Sequence, residues 1–243
     1  MTLVARQRIG TLTGSRFTNP GHKSGSQVRV RMGTMTFRGW PIEAVEFYEG
    51  LQADNSKVYW QHHKESYERC VRAPMEQLLT ELADEFGPWK LFRPYRDVRF
   101  SANKEPYKTN CAATLGQGIG QAYVSFSADG LSAGGGLYMP DPATLQRYRT
   151  AVDREKSGAE LARIVADLHK AGYQTMAHEV LKTAPRGVPK DHSRIDLLRH
   201  KGIAMMKSWP TEAWLGTSKA KDRVVSTLRA GAPLNEWLTR YVS

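Results

Sequence analysis

From about residue 36 the chain repeats apolar side chains at helical spacing. Ala44, Phe47, Tyr48 and Leu51 follow Pro41, a residue suited to the first turn of a helix. A second helical run starts at Asn55 or Ser56 and passes through Tyr59, Trp60, His63, Tyr67, Val71, Met75, Leu78, Leu79 and Leu82. Pro74 interrupts it, which predicts a kink or two successive helices, and Gly87-Pro88 ends it. The period then changes. Leu91–Phe100, Thr109–Leu115, Ala122–Phe126 and Leu131–Tyr138 read as strands, with Asp129-Gly130 as a hairpin signal between the last two. Pro140-Asp-Pro142 opens another helix, and a further one covers about Ala159–Lys170. Lys182–Lys190 is a basic loop, Asp191–His200 a short helix, Ile203–Ser208 a strand, and the C-terminal end is helical. This order predicts an α+β fold: a single compact domain over residues 35–243, with helices flanking a mainly antiparallel sheet whose meander spans about 90–138.

Residues 1–34 show no such pattern. They are rich in Gly, Ser, Thr and Arg and have no apolar face to bury, so a disordered basic tail is expected. Their acid-free composition is also that of an organellar transit peptide, but a true translation start at Met32 or Met35 is the preferred reading. The tail changes the meaning of the charge. The chain carries 35 basic and 24 acidic residues, a net +11. Six of the basic residues (Arg6, Arg8, Arg16, Lys23, Arg29 and Arg31) lie in the tail, which leaves 29 against 24, or +5, for residues 35–243. A domain so mildly basic argues against general nucleic-acid binding. No apolar run approaches the roughly 18 residues of a membrane span. The two cysteines, Cys70 and Cys111, are too few for a disulfide scaffold and have no zinc-type spacing, so both are expected to be reduced in a cytoplasmic protein.

The densest chemistry lies in residues 93–110, Arg-Pro-Tyr-Arg-Asp-Val-Arg-Phe-Ser-Ala-Asn-Lys-Glu-Pro-Tyr-Lys-Thr-Asn, with five basic and two acidic side chains. Alternation along a strand would place Arg93, Tyr95, Asp97 and Arg99 on one face and Arg96, Val98 and Phe100 on the other. One carboxylate, Asp97, cannot neutralise both flanking guanidiniums, and arginine forks match carboxylate and phosphate geometry. Lys104 and Lys108 add charge, and Tyr107 and Asn110 add hydrogen-bonding groups. The candidate ligand-binding set is therefore Arg93, Arg96, Arg99, Lys104, Tyr107, Lys108 and Asn110, for a small phosphate- or carboxylate-bearing ligand. Asp97 and His192 are the weaker candidates for acid–base catalysis. The competing reading makes Arg93, Asp97 and Arg99 a structural network that holds the fold.

The pattern R-x-x-R-D-x-R-F-x-x-x-K-x-P-Y-K-x-N, carried here by Arg93, Arg96, Asp97, Arg99, Phe100, Lys104, Pro106, Tyr107, Lys108 and Asn110, resembles the signature of a mainly bacterial family, domain of unknown function 2461. Further likeness lies in Phe37–Trp40, Trp60–Tyr67, Gly134–Pro140, Pro185–Gly187, Asp191-His192 and Leu197–Lys201. The resemblance covers about residues 35–243 and leaves out the tail. The family has no assigned activity, so the resemblance implies kinship and no reaction.

The other segments have plainer explanations. Gly116-Gln-Gly-Ile-Gly120 is followed by a strand, whereas a dinucleotide fingerprint opens a helix, so it reads as a hairpin connection. Gly134-Gly-Gly136 inside a strand predicts a bulge, or close approach of a ligand to the backbone. Asp191 is placed to cap the helix after it. Lys182, Arg186 and Lys190 are surface charge that could extend an anion site. His62 and His63 are adjacent, hence on different helix faces, and no HExxH, Walker loop, nucleophile elbow or metal-spaced Cys/His set is present. No cofactor is implied. Three functions compete: binding of a small anion with or without catalysis on it, nucleic-acid binding, and a structural or partner-binding role.

Overall fold

A computed structural model describes residues 36–99 and 103–243. The expectations for residues 1–34, and the end of the strand expected to reach Phe100, lie outside them. The N-terminal helical periods are realised as α1 (Ile42–Ala53), α2 (Lys57–Ser66) and α3 (Ala73–Phe86). Ser56 caps α2, its hydroxyl accepting from the Tyr59 backbone N–H at 3.1 Å. Between α2 and α3 the chain makes a wider π turn over Tyr67–Arg72. A mid-helix proline has no N–H to donate, and its ring collides with the carbonyl four residues back, here that of Cys70. The wide turn accommodates Pro74 in the first turn of α3, so the sequence-predicted interruption takes the form of a π segment. The Val71 carbonyl, within this segment, accepts the Trp40 indole N–H at 3.3 Å.

Six strands form one sheet: β1 (Trp89–Leu91), β2 (Asn110–Leu115), β3 (Gln121–Ser127), β4 (Gly130–Leu137), β5 (Gln174–Met176) and β6 (Ile203–Trp209). Their spatial order is β1-β2-β3-β4-β6-β5, and every neighbouring pair is antiparallel. Several sequence expectations need correction. The strand expected over Leu91–Phe100 stops at Leu91, and beyond it, among the described residues, only Tyr95 bridges, to Tyr107. The β3–β4 hairpin closes between Ser127 and Gly130, so its loop is Ala128-Asp129, one residue earlier than predicted. The glycine run makes no bulge. Residues 130–136 pair without interruption to β3, and 131–137 to β6. A Cβ on Gly134 would lie 2.0 Å from the Met205 carbonyl oxygen, so the glycines allow two strands to approach closely rather than break the ladder. β5 escapes the sequence because three residues are too few to show an alternation.

The remaining helices are α4 (Pro142–Asp153), α5 (Glu155–Lys170), α6 (Ile195–Arg199), α7 (Lys219–Ala230) and α8 (Ala232–Val242). Register shows where they pack. Leu115, Ala122, Gly135 and Met205 are successive partners across β2, β3, β4 and β6, so they share one face. One hydrophobic cluster joins α1–α3 and α7 to Ala113, Val124, Phe126 and Leu131. A second joins α4, α5 and α8 to Ile203 and Met205. Both clusters use this face, so the helices cover one side of the sheet.

Cys70 and Cys111 are buried and unpaired. Burial pushes the Cys111 thiol up to about 12, and the thiolate is the reactive form. Ellman's reagent at pH 8 is therefore expected to leave both thiols intact in the folded chain and to titrate both in guanidinium. A thiol that reacts rapidly without denaturant would contradict this.

Candidate functional site

The face opposite the helices is lined by small and polar side chains. Lys90, Thr114, Tyr123, Gly134, Met206 and Gln174 form one row across all six strands. Ala112, Ser125, Ser132 and Ser208 form the next. Thr114, Tyr123, Met206 and the three serines floor a groove of about 730 Å³, a volume suited to a small organic molecule. The Ser132 and Ser208 hydroxyls bond to each other at 2.8 Å. Phe92 stands at one end. Tyr138, Met139 and Met176 stand at the other, beside the Asp141 carboxylate that caps α4. Hydrogen bonds from Thr144, backbone first and then side chain, hold the Asp141 carboxyl below its usual range.

Residues 93–99 leave β1 at this groove and residues 103–110 return to it, into β2; these described parts form an arm. Its base is tied to the helices. The Tyr107 ring stacks on Trp60, with centroids 4.4 Å apart and planes at 8°. Asn55 clamps the same residue, accepting from the Tyr107 N–H at 3.0 Å and donating to its carbonyl at 3.1 Å. Two cross-arm backbone bonds follow, Arg96 N–H to the Pro106 carbonyl and Lys108 N–H to the Pro94 carbonyl, both 2.8 Å. Exposure still alternates along Arg93–Arg99, as a strand would dictate, although no ladder forms there.

The candidate residues divide into three groups. Arg99 is turned toward its own chain: it grips Asp97 through Nε at 3.0 Å and Nη2 at 2.7 Å, and its backbone N–H bonds the same carboxylate. These bonds, with a smaller contribution from Arg93, hold the Asp97 carboxyl below its ordinary range. Lys104 donates to the Val98 carbonyl at 3.1 Å. Tyr107 is buried in the aromatic anchor, and Asn110 donates to Ser125 Oγ on the groove floor at 2.8 Å.

Arg93, Arg96 and Lys108 form the third group. The Lys108 ammonium lies 5.4 Å from the centroid of the Phe92 ring, one wall of the groove. Burial, then the positive charges of Arg93 and Arg96, hold it below the ordinary lysine range. Arg96 reaches Glu105 only at 3.5 Å. Arg93 has no ion-pair or hydrogen-bond partner among the described residues. None of the three lines the groove itself; Lys108, against Phe92, brings positive charge to its β1 end.

His192 is not brought to the groove. Its Nε2 lies 3.2 Å from Asp153, and its Nδ1 accepts from the Arg194 N–H. Arg194 in turn donates to the Val152 and Asp153 carbonyls, tying this loop to the end of α4. That knot holds the backbone out of helix until Ile195, so Asp191 caps nothing and the predicted helix is shortened to α6. Lys182, Arg186 and Lys190 are exposed and do not line the groove. Sequence reasoning missed Phe92, Tyr123 and the floor serines. The available signal was the alternate, non-core position of each strand, and the register that assembles those positions was not readable.

Among the described residues no group of three or more His, Cys, Asp or Glu is placed to hold a metal ion, and no helix is long and apolar enough to cross a membrane. Comparisons with curated proteins and with solved structures find no match. A family model described as "Conserved hypothetical protein (DUF2461)" matches residues 43–237, most of the chain and the whole of the groove and arm, and the chain belongs to that family.

Proposed function

We propose that the protein binds a small organic anion, phosphate- or carboxylate-bearing, in the sheet-face groove, with Lys108, Arg93 and Arg96 as the anion's partners. The observation that carries this reading is the Lys108 ammonium set 5.4 Å from the ring of Phe92, the groove residue at the β1 end. A nucleic-acid surface needs cations spread along a broad face. Here burial first, and then the charges of Arg93 and Arg96, depress Lys108, while Arg99 and Lys104 are engaged within the arm. An anion would relieve the repulsion among them and supply acceptors to a guanidinium that has none. A cytoplasmic location fits the two unpaired thiols.

Phosphate, sulfate and citrate, tested separately, are expected to raise the melting temperature by mass action. Lys108→Gln is expected to weaken the response at least tenfold, about the 1.4 kcal/mol of one charge-assisted contact. The pH dependence has a definite sign. Only the ammonium attracts the anion, so affinity falls as pH rises through the depressed Lys108 pKa, at a lower pH than for an exposed lysine. Lys108→Gln loses that step. Without anion the folded chain binds this proton less tightly than the unfolded chain, so the Lys108 contribution to stability rises with pH between the two pKa values. Failure of all three anions to stabilise the parent protein would falsify the reading.

A further inference from the structure

We infer that the ligand is amphipathic: a phosphate or carboxylate head at Lys108, Arg93 and Arg96, joined to an apolar body that runs across the sheet to a lip formed by Tyr138, Met139 and Met176. The inference rests on the anion-binding reading and adds the part of the ligand that the cations do not touch. Two features of the groove carry it.

The first is the far lip. Tyr138, Met139 and Met176 are 47%, 66% and 43% exposed, and all three line the groove. Large apolar side chains left in water around a single concavity mark a contact surface, and methionine adapts its shape to irregular apolar partners. Their charge environment differs from that of the near end: the Lys108 ammonium lies beside Phe92, on the β1 side, whereas the charged group lining the groove near the lip is the Asp141 carboxylate. The second feature is the direction of the groove. Phe92 follows β1, and Met176 ends β5, at opposite edges of the sheet. Five strand spacings of about 4.8 Å separate those edges by roughly 24 Å, and Tyr138 and Met139, which follow β4, stand three spacings, roughly 14 Å, from the β1 edge. An inorganic ion fills one end of such a groove and leaves the lip in water. Much of the floor between is already hydrogen-bonded within the protein. Ser132 and Ser208 are bonded to each other, Ser125 accepts from Asn110, and Gln121 donates to the Gly116 carbonyl.

The test compares inorganic phosphate, ethyl phosphate, octyl phosphate below its micelle concentration, and octanol, by calorimetry and thermal shift on the full chain. Octyl phosphate is expected to bind most tightly, with affinity rising about two- to fourfold per methylene added from ethyl to octyl. Octanol, lacking the head, is expected to bind at least tenfold more weakly than octyl phosphate. Tyr138→Ser and Met139→Ser change exposed positions within reach of an octyl chain, and both are expected to reduce the gain with chain length while keeping the response to ethyl phosphate. Lys108→Gln is expected to weaken both phosphates together. Equal affinity for ethyl and octyl phosphate would overturn the amphipathic inference and leave the anion reading standing. Failure of every phosphate to bind would remove both. Tighter binding of a single-stranded oligonucleotide than of octyl phosphate, or binding to phosphatidic-acid vesicles without binding of free octyl phosphate, would also overturn it.

Discussion

Trp60→Ala is expected to destabilise the protein by about 3–5 kcal/mol and to release the arm from the helices. Trp60 is 4% exposed, and its ring meets four others: Phe47, Tyr67, Tyr95 and Tyr107. Truncation leaves a void that their backbones cannot close, and it removes the platform on which Tyr107 stacks. Because Lys108 follows Tyr107 directly, loss of the anchor also frees the ammonium from its place beside Phe92. Hydrogen exchange is therefore expected to accelerate most at the Arg96 and Lys108 amides, which close the arm on the Pro106 and Pro94 carbonyls. Trp60→Phe should be far milder. The indole Nε1 is buried without a partner, so its removal offsets part of the lost area. Tyr107→Phe should cost less than about 1 kcal/mol if the residue acts through its ring. Denaturant melts of the three variants decide the matter. Trp60→Ala within about 1 kcal/mol of the parent would show that the arm holds itself.

Gly136→Ala is the second large effect, at about 3–5 kcal/mol. Gly136 has φ +137, a conformation that costs an L-residue about 1–3 kcal/mol. Its new Cβ would also lie 2.4 Å from the Ile203 carbonyl oxygen and 2.6 Å from the Ala204 Cα. Those are backbone atoms and cannot swing aside, so β6 must move away from β4. The two hydrophobic clusters meet across this pair of strands, with Leu131 and Ala133 in one and Ile203 and Met205 in the other. Displacing β6 therefore loosens the groove floor and the core together. Gly118→Ala is the control. Gly118 also lines the groove at positive φ, +75, but its Cβ would meet nothing within 4 Å, so only about 1 kcal/mol of left-handed strain is expected. Equal melting temperatures for the two variants would mean that close approach of the strands is not what Gly136 provides.

The sequence by itself determined the elements whose side chains repeat with a clear period. Phe47, Tyr48 and Leu51, or Leu78, Leu79 and Leu82, can be buried together only on a helix, and Ala122, Val124 and Phe126 only on a strand. Hence α1–α3, β2–β4, β6 and the α+β order were legible, because local burial periodicity is a property of consecutive residues. The family was legible too, from one long run of unusual residues ending at Asn110. Where the arm leaves the sheet was not, because Arg93–Arg99 keeps a period-two exposure without the ladder that normally produces it. Which charges remain available was also decided in three dimensions. Five similar cations stand in that run, and only packing turns Arg99 toward Asp97 and Lys104 toward Val98 while setting Lys108 against Phe92. The groove is the extreme case. Its floor consists of Thr114, Tyr123, Ser125, Ser132, Met206 and Ser208, residues that individually look like ordinary solvent-facing strand positions. They become one surface because strand register sets Thr114, Tyr123 and Met206 in one row and the three serines in the next, and register is fixed by cross-strand packing between segments up to about a hundred residues apart in the chain.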